Sequence, residues 1–265
     1  MISNPIKKIV IIGCGNVAWH LAEKLSREKN TEPSVYNHKA NKELALFKNE
    51  FGIAVFPSLK KVIPDADVYF ICVSDKNIAS VIKTLSYLKP DSTLLITSAS
   101  FNFTEANSKL KNLAIFYPIQ TFSKEDQIKW KDTTIVIDAN SKLAEQKAVS
   151  YALTFTKDLL NLNYEQRLKL HLSAVLVNNF TNSLYVEADK ILRTIRGDLD
   201  VRLLLPLIKQ GAKKLKRMPP KEAQTGPAKR KDDLVMQKHL AFTKNKKNLN
   251  QLYQLISSLI IEQQK

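Results

Sequence analysis

Ile9-Val10-Ile11-Ile12-Gly13-Cys14-Gly15-Asn16-Val17-Ala18 is the stretch on which the reading of this chain turns. Four consecutive β-branched residues read as a short buried strand, and Val17–Leu25 has the spacing of a helix. Strand, glycine turn and helix in that order form the setting in which G-x-G-x-x-[G/A] points to dinucleotide binding. The residues suit the task. Gly13 takes a turn conformation that a Cβ obstructs, and Gly15 lets the main chain approach a pyrophosphate. The amides of Asn16, Val17 and Ala18 open the helix, point at the anion and are aided by the helix dipole. Ala18 stands where a third glycine is common, which sets the helix slightly farther from the strand. The competing reading is an ordinary strand–helix turn, and the surrounding strand and helix favour the cofactor.

Outward from this turn the first half alternates apolar strands with helical patterns. Ser34–Asn37, Ile53–Phe56, Val68–Val73, Thr93–Thr97, Leu113–Phe116 and Thr133–Ile137 read as strands, and Lys42–Phe51 and Ile78–Leu88 as helices. This spacing predicts a parallel sheet covered on both faces. After about residue 140 the pattern becomes helical throughout, over Lys142–Leu160, Gln166–Ile195, Leu203–Lys216, Leu234–Lys244 and Lys247–Glu262. The expected fold is therefore α/β: a Rossmann-type parallel sheet over 1–140, followed by an all-α domain over 141–265 for substrate binding and dimerisation. The long helix is apolar through Leu170–Tyr185, a surface that two subunits bury together, so a homodimer is expected.

Composition narrows the class. At 265 residues with 44% hydrophobic side chains, the chain has enough apolar material for a real core. It contains no apolar run of membrane-spanning length and no signal-peptide pattern. Cys14 and Cys72 have no metal-ligand spacing and read as free thiols in a reducing cytoplasm. The net charge of +16 is densest between Lys209 and Lys231, where nine basic residues face one acid, Glu222. No aromatic residues interleave there, so nucleic-acid binding is disfavoured against a solvated face or an anionic small molecule.

The remaining candidates lie where strands end. Asn37-His38-Lys39 follows the second strand, where a carboxylate would select NAD; two basic side chains and no acid favour the 2′-phosphate of NADP. Ser74 and Ser98 end the fourth and fifth strands, beside the expected nicotinamide, although Ser74 also suits a helix N-cap. Tyr117 and the string Pro118-Ile119-Gln120-Thr121-Phe122 end the next strand. His171, Asn178 and Asn179 fall near one face of the long helix, where an imidazole serves as acid or base.

These strings, together with Gln224-Thr225-Gly226-Pro227-Ala228, Arg230, Asp232 and His239, occur in one order along the chain. That order resembles a bacterial family joining a Rossmann-like domain to a domain of unknown function numbered 2520, whose members are described as NADP-dependent oxidoreductases. The family is similar in architecture to pyrroline-5-carboxylate reductase, the coenzyme F420-dependent NADP reductases and the 6-phosphogluconate dehydrogenase group. The resemblance implies the two-domain fold and an NADP-dependent oxidoreductase; the expected activity is hydride transfer between NADP and a small carbonyl, imine or alcohol, with His171 and Asn179 as the candidates for proton transfer and substrate orientation. Two departures bear on that. Family members often carry histidine where Tyr117 stands, so Tyr117 would take over its chemistry. Related hydroxyacid dehydrogenases place a lysine four residues before the helix asparagine, and that position is Val175 here. The Gln224–Ala228 loop, with Lys229, Arg230 and Lys231 beside it, either closes over an anionic substrate group or packs the last helices. A non-catalytic NADP sensor or interaction protein is the alternative from another class.

Overall fold

The computed structural model describes residues 7–106 and 108–264, which divide into two compact units, one ending at Val175 and the other starting at Leu176. The first unit is built on an eight-stranded sheet: β1 (Lys7–Ile12), β2 (Thr31–Tyr36), β3 (Ala54–Phe56), β4 (Val68–Ile71), β5 (Thr93–Ile96), β6 (Asn112–Pro118), β7 (Ile135–Ala139) and β8 (Leu159–Asn161). Its spatial order is β3-β2-β1-β4-β5-β6-β7-β8. Strands β1 to β6 are all parallel, so their carboxyl ends share one edge. The chain leaves β1 toward β2 on one side and returns as β4 on the other. The crevice between those two strands is the switch point at which open α/β sheets bind ligands.

Alternation along the strands separates two apolar layers. Ile9, Ile11, Phe70, Leu95, Ala114 and Phe116 face α1 (Asn16–Ser26), α2 (Lys42–Phe51) and α4 (Lys142–Ala152). Val10, Ile12, Tyr69, Ile71, Ile96 and Ile115 face α3 (Asp75–Thr84). These side chains are fully buried, and each of the larger ones stabilises the fold by about 1.5–3 kcal/mol before entropy is charged against it.

Beyond β6 the sheet departs from the expected parallel pattern. Residues 119–134 contain no crossover helix, only the short turn Trp130–Asp132, and β7 pairs antiparallel to β6. The expected helix over Lys142–Leu160 stops at Ala152, and strands continue past residue 140. The hydroxyl of Thr156 accepts a hydrogen bond from the Asp158 amide at 3.0 Å, turning the chain, and β8 then pairs parallel to β7. The run expected as one helix over Gln166–Ile195 is α5 (Tyr164–Ala174), a π-helical stretch Val175–Phe180 and α6 (Thr181–Ile195). Asn163 starts α5, accepting from the Gln166 amide while the Gln166 side chain accepts from the Asn163 amide.

The second unit is helical, with α6, α7 (Leu205–Lys214), α8 (Pro220–Ala223), α9 (Pro227–Arg230), α10 (Asp233–Thr243) and α11 (Lys247–Gln263). Helices α10 and α11 are joined by Asn250, which donates to Thr243 Oγ1 at 2.8 Å, and by a 2.8 Å hydrogen bond between His239 Nδ1 and Tyr253 Oη. None of the described helices is long and apolar enough to cross a membrane.

Gly13 sits where no side chain fits. Its φ is +110°, and a Cβ there would overlap the carbonyl oxygen of Cys72, at the end of β4. Gly15 has an ordinary extended backbone, and a Cβ there would meet nothing within 4 Å. Gly13→Ala is expected to destabilise the protein by more than about 2 kcal/mol, and Gly15→Ala by about 1 kcal/mol or less. Urea unfolding of the two variants measures both; equal losses would contradict the account.

Candidate functional site

The first turn of α1 is built to receive an anion. Gly15 occupies the cap position with no side chain capping it, and the turn contains no acidic residue. By contrast, Asn41, Ser141 and Asn163 cap α2, α4 and α5 with their own side chains. The amides of Asn16, Val17 and Ala18 thus point out over the open side of Gly15. The side chain of Asn16 is already committed, donating to the carbonyl of Phe122 at 2.8 Å. One turn on, the buried His20 donates from Nε2 to the carbonyl of Ser123 at 2.7 Å, while its Nδ1 lies 3.5 Å from Glu23 Oε2. These two bonds latch the loop after β6 onto α1.

Beside this turn a cleft of about 300 Å³ is lined by Ile12, Asn37, His38, Val73, Asn77 and Val81, among others. Its walls are apolar toward the strands and polar at the rim, which suits an adenosine. Asn37 is buried; its Oδ1 accepts from His38 Nδ1 at 3.2 Å, its Nδ2 donates to the Lys39 carbonyl at 3.0 Å, and so it shapes the loop. His38 and Lys39 are exposed at the rim. The open space over Gly15, the uncapped helix and this cleft together fit a dinucleotide with a basic group at its ribose.

At the ends of β4 and β5 lie hydroxyls. Ser74 holds the N-cap position of α3 but does not cap it; its Oγ accepts from Asn77 Nδ2 at 2.9 Å. Ser98 Oγ is 3.3 Å from Ser100 Oγ, and Ser100 in turn donates to Asp75. Burial pushes the pKa of the Cys72 thiol up to about 12. Cys14, half-buried in the glycine turn, lies within 3.7 Å of the Asn41 side chain.

Tyr117 and His171, 54 residues apart in sequence, meet in the first unit. Tyr117 Oη lies 3.2 Å from His171 Nδ1, and the rings are edge-to-face with centroids 6.0 Å apart. Burial raises the pKa of the Tyr117 hydroxyl, so it stays protonated at neutral pH. Asn179 lies in the π-helical stretch, beyond the boundary of the first unit. Among the described residues no cluster of His, Cys, Asp and Glu has the makings of a metal site.

Sequence reasoning missed the residue beneath this pair. Arg167 is fully buried, with its Nε and Nη2 at 3.2 and 3.1 Å from Asp138 Oδ2. It also donates to the carbonyl of Ala99 and, at 3.1 Å, to that of Phe101. Burial pulls its pKa down, opposed by the charge of Asp138. The available signal was Asp138 itself, an acid within the apolar strand Ile135–Ala139. In the second unit, Lys229 Nζ is held by the carbonyls of Gln224 (2.8 Å) and Glu222 (3.4 Å), so it braces its own loop.

Two family models match the chain. Residues 8–100 match "NADP oxidoreductase coenzyme F420-dependent", and residues 133–260 match "Domain of unknown function (DUF2520)". No curated protein matches. Among solved structures, a "putative NADP oxidoreductase" from Bacteroides fragilis is 30% identical over 97% of this chain and 98% of its own, with a TM-score of 0.89. A pyrroline-5-carboxylate reductase from Coxiella burnetii (17% identity, 98% and 97% covered, TM-score 0.59) shares the fold. So does an imine reductase from Myxococcus stipitatus solved with NADP+ (13% identity, 96% and 93% covered, TM-score 0.64). Matched along nearly its whole length, the chain belongs to the NADP oxidoreductase family in which an F420-dependent-type nucleotide-binding region is joined to a DUF2520 domain.

Proposed function

We propose that the protein transfers hydride between NADP and a small carbonyl, imine or alcohol carrying an anionic group, with Tyr117 and His171 handling the proton. The observation that carries this reading is the Tyr117–His171 hydrogen bond at the end of β6, on the sheet edge that also holds the glycine cradle. Bound NADPH supplies the hydride. Gly13, Gly15 and the amides of Asn16, Val17 and Ala18 hold its pyrophosphate, Asn37, His38 and Lys39 its ribose phosphate, and Ser74 and Ser98 line the nicotinamide end.

The half-buried, protonated hydroxyl of Tyr117 is the proton donor to the substrate nitrogen or oxygen as the neighbouring carbon is reduced. His171 returns a proton to Tyr117 through Nδ1, and its exposed ring recovers one from water. In the oxidative direction the proton runs the opposite way. The imine reductase and pyrroline-5-carboxylate reductase likenesses make cyclic imines the first substrates to try.

We also propose a homodimer. Among the described residues of the helical unit the buried apolar ones are Ala228 and Met236, while Val177, Ile195, Leu207, Leu234 and Phe242 are each at least 68% exposed. Helices with so little core of their own need a covering surface, and a second copy supplies the matching one.

Fluorescence titration with NADPH should show tight binding that Gly15→Asp abolishes, because a carboxylate would occupy the pyrophosphate position; undiminished binding in the variant would remove the cradle assignment. Saturating NADPH should also slow alkylation of Cys14 at pH 8, while Cys72 stays unlabelled in the folded protein. In a panel of cyclic imines and small keto acids, Tyr117→Phe and His171→Ala should each lower kcat by about 10²–10⁴-fold with KM little changed. Binding without any turnover would leave a sensor. Sedimentation should give a mass near twice the 30.1 kDa of one chain, and a monomer at micromolar concentration would refute the dimer.

A further inference from the structure

Helix α5 touches the sheet through two side chains one turn apart. Arg167 and His171 are four residues apart, hence on one face and about 6 Å apart along the axis. Their partners have a matching spacing. Asp138 pairs across the β6–β7 ladder with Ile115, and Tyr117 lies two residues beyond Ile115 on the same face, about 6.8 Å along the strand. The two contacts are therefore successive rungs between one helix and one strand pair: Arg167–Asp138 below and His171–Tyr117 above.

The rungs differ in strength. In the lower one the guanidinium is fully buried, the Asp138 carboxylate is 20% exposed, and the charge is shared with two main-chain carbonyls, Ala99 and Phe101. The upper one is a single 3.2 Å hydrogen bond at an exposed histidine. Ala99 and Phe101 also flank Ser98 and Ser100, which end β5. One guanidinium thus holds three things in a common frame: the helix bearing His171, the strand pair bearing Tyr117, and the loop bearing Ser98.

We infer that Arg167 is the positioning residue of this site, setting the Tyr117–His171 contact and its place relative to Ser98 through its bonds to Asp138, Ala99 and Phe101. The inference rests on the proposed proton-handling role of that pair for its catalytic meaning, but the geometry is testable without turnover. Arg167 touches no reacting atom; it acts through His171. Lysine keeps the charge yet cannot span a carboxylate and two carbonyls at once, because it lacks the planar fork.

The test is NMR of the full-length protein labelled with 15N-histidine, in which the four histidines give separable imidazole signals and His171→Asn identifies the one that belongs to His171. Tyr117→Phe marks where the His171 signal goes when the contact is lost. In Arg167→Lys the His171 signal should move toward that of Tyr117→Phe, while NADPH affinity changes by less than about threefold. Asp138→Glu, which keeps the charge pair and lengthens it by one methylene, should do the same and serves if the lysine variant does not fold. If Tyr117→Phe moves the signal and neither of the other variants does, the inference is overturned and the catalytic reading stands. A parallel collapse of NADPH affinity would also overturn it, since a general structural role would suffice. If Tyr117→Phe leaves the signal in place, the contact is absent in solution and both fall. Absence of turnover on every substrate removes the catalytic reading alone, and the NMR result still decides the positioning.

Discussion

The close approach of Gly13 to the carbonyl of Cys72 is the contact on which the rest of the first unit depends. Strands β1 and β4 are neighbours in space but far apart in sequence, and the chain must leave β1 sharply enough to clear β4. Only a residue without Cβ, at a φ that side chains resist, passes there. That turn brings the start of α1 over the switch point with its amides uncapped. The other strands then add outward, and their carboxyl ends deliver Asn37, Ser74, Ser98 and Tyr117 to one edge.

Helix ends in this unit fall into two kinds. One kind is closed by its own side chain, as with Asn41 on α2, Ser141 on α4 and Asn163 on α5. The two that begin directly after β1 and β4, α1 and α3, have no such cap. Both of these starts are exposed, at Gly15 and Asn16 and at Ser74 to Asn77, so solvent reaches amides that no side chain of the protein caps.

Much of this was legible in the sequence because the signals are local. The glycine turn, the β-branched strand runs and the helical periodicities each lie within a dozen residues, and the physics that produces them acts over the same range. What escaped were features set by distant partners. The direction of β7 depends on what its connection to β6 lacks, and β8 on an open sheet edge that attracts three residues of otherwise helical character. Tyr117 was singled out by its place at a strand end, but nothing near it points to His171. Arg167 has the least signal of all: an arginine on a helix normally faces water, and its burial follows only once Asp138 and two carbonyls surround it.

The bonds that organise the edge share one asymmetry. Asn16, His20 and Arg167 are side-chain donors, and most of their acceptors, at Ala99, Phe101, Phe122 and Ser123, are main-chain carbonyls. A carbonyl is present whatever side chain its residue carries. The loops after β5 and β6 can therefore change composition across evolution without losing their anchors, provided their length and path persist, whereas the three donors are irreplaceable. That leaves a scaffold able to vary the residues facing a substrate while the frame that presents them stays still.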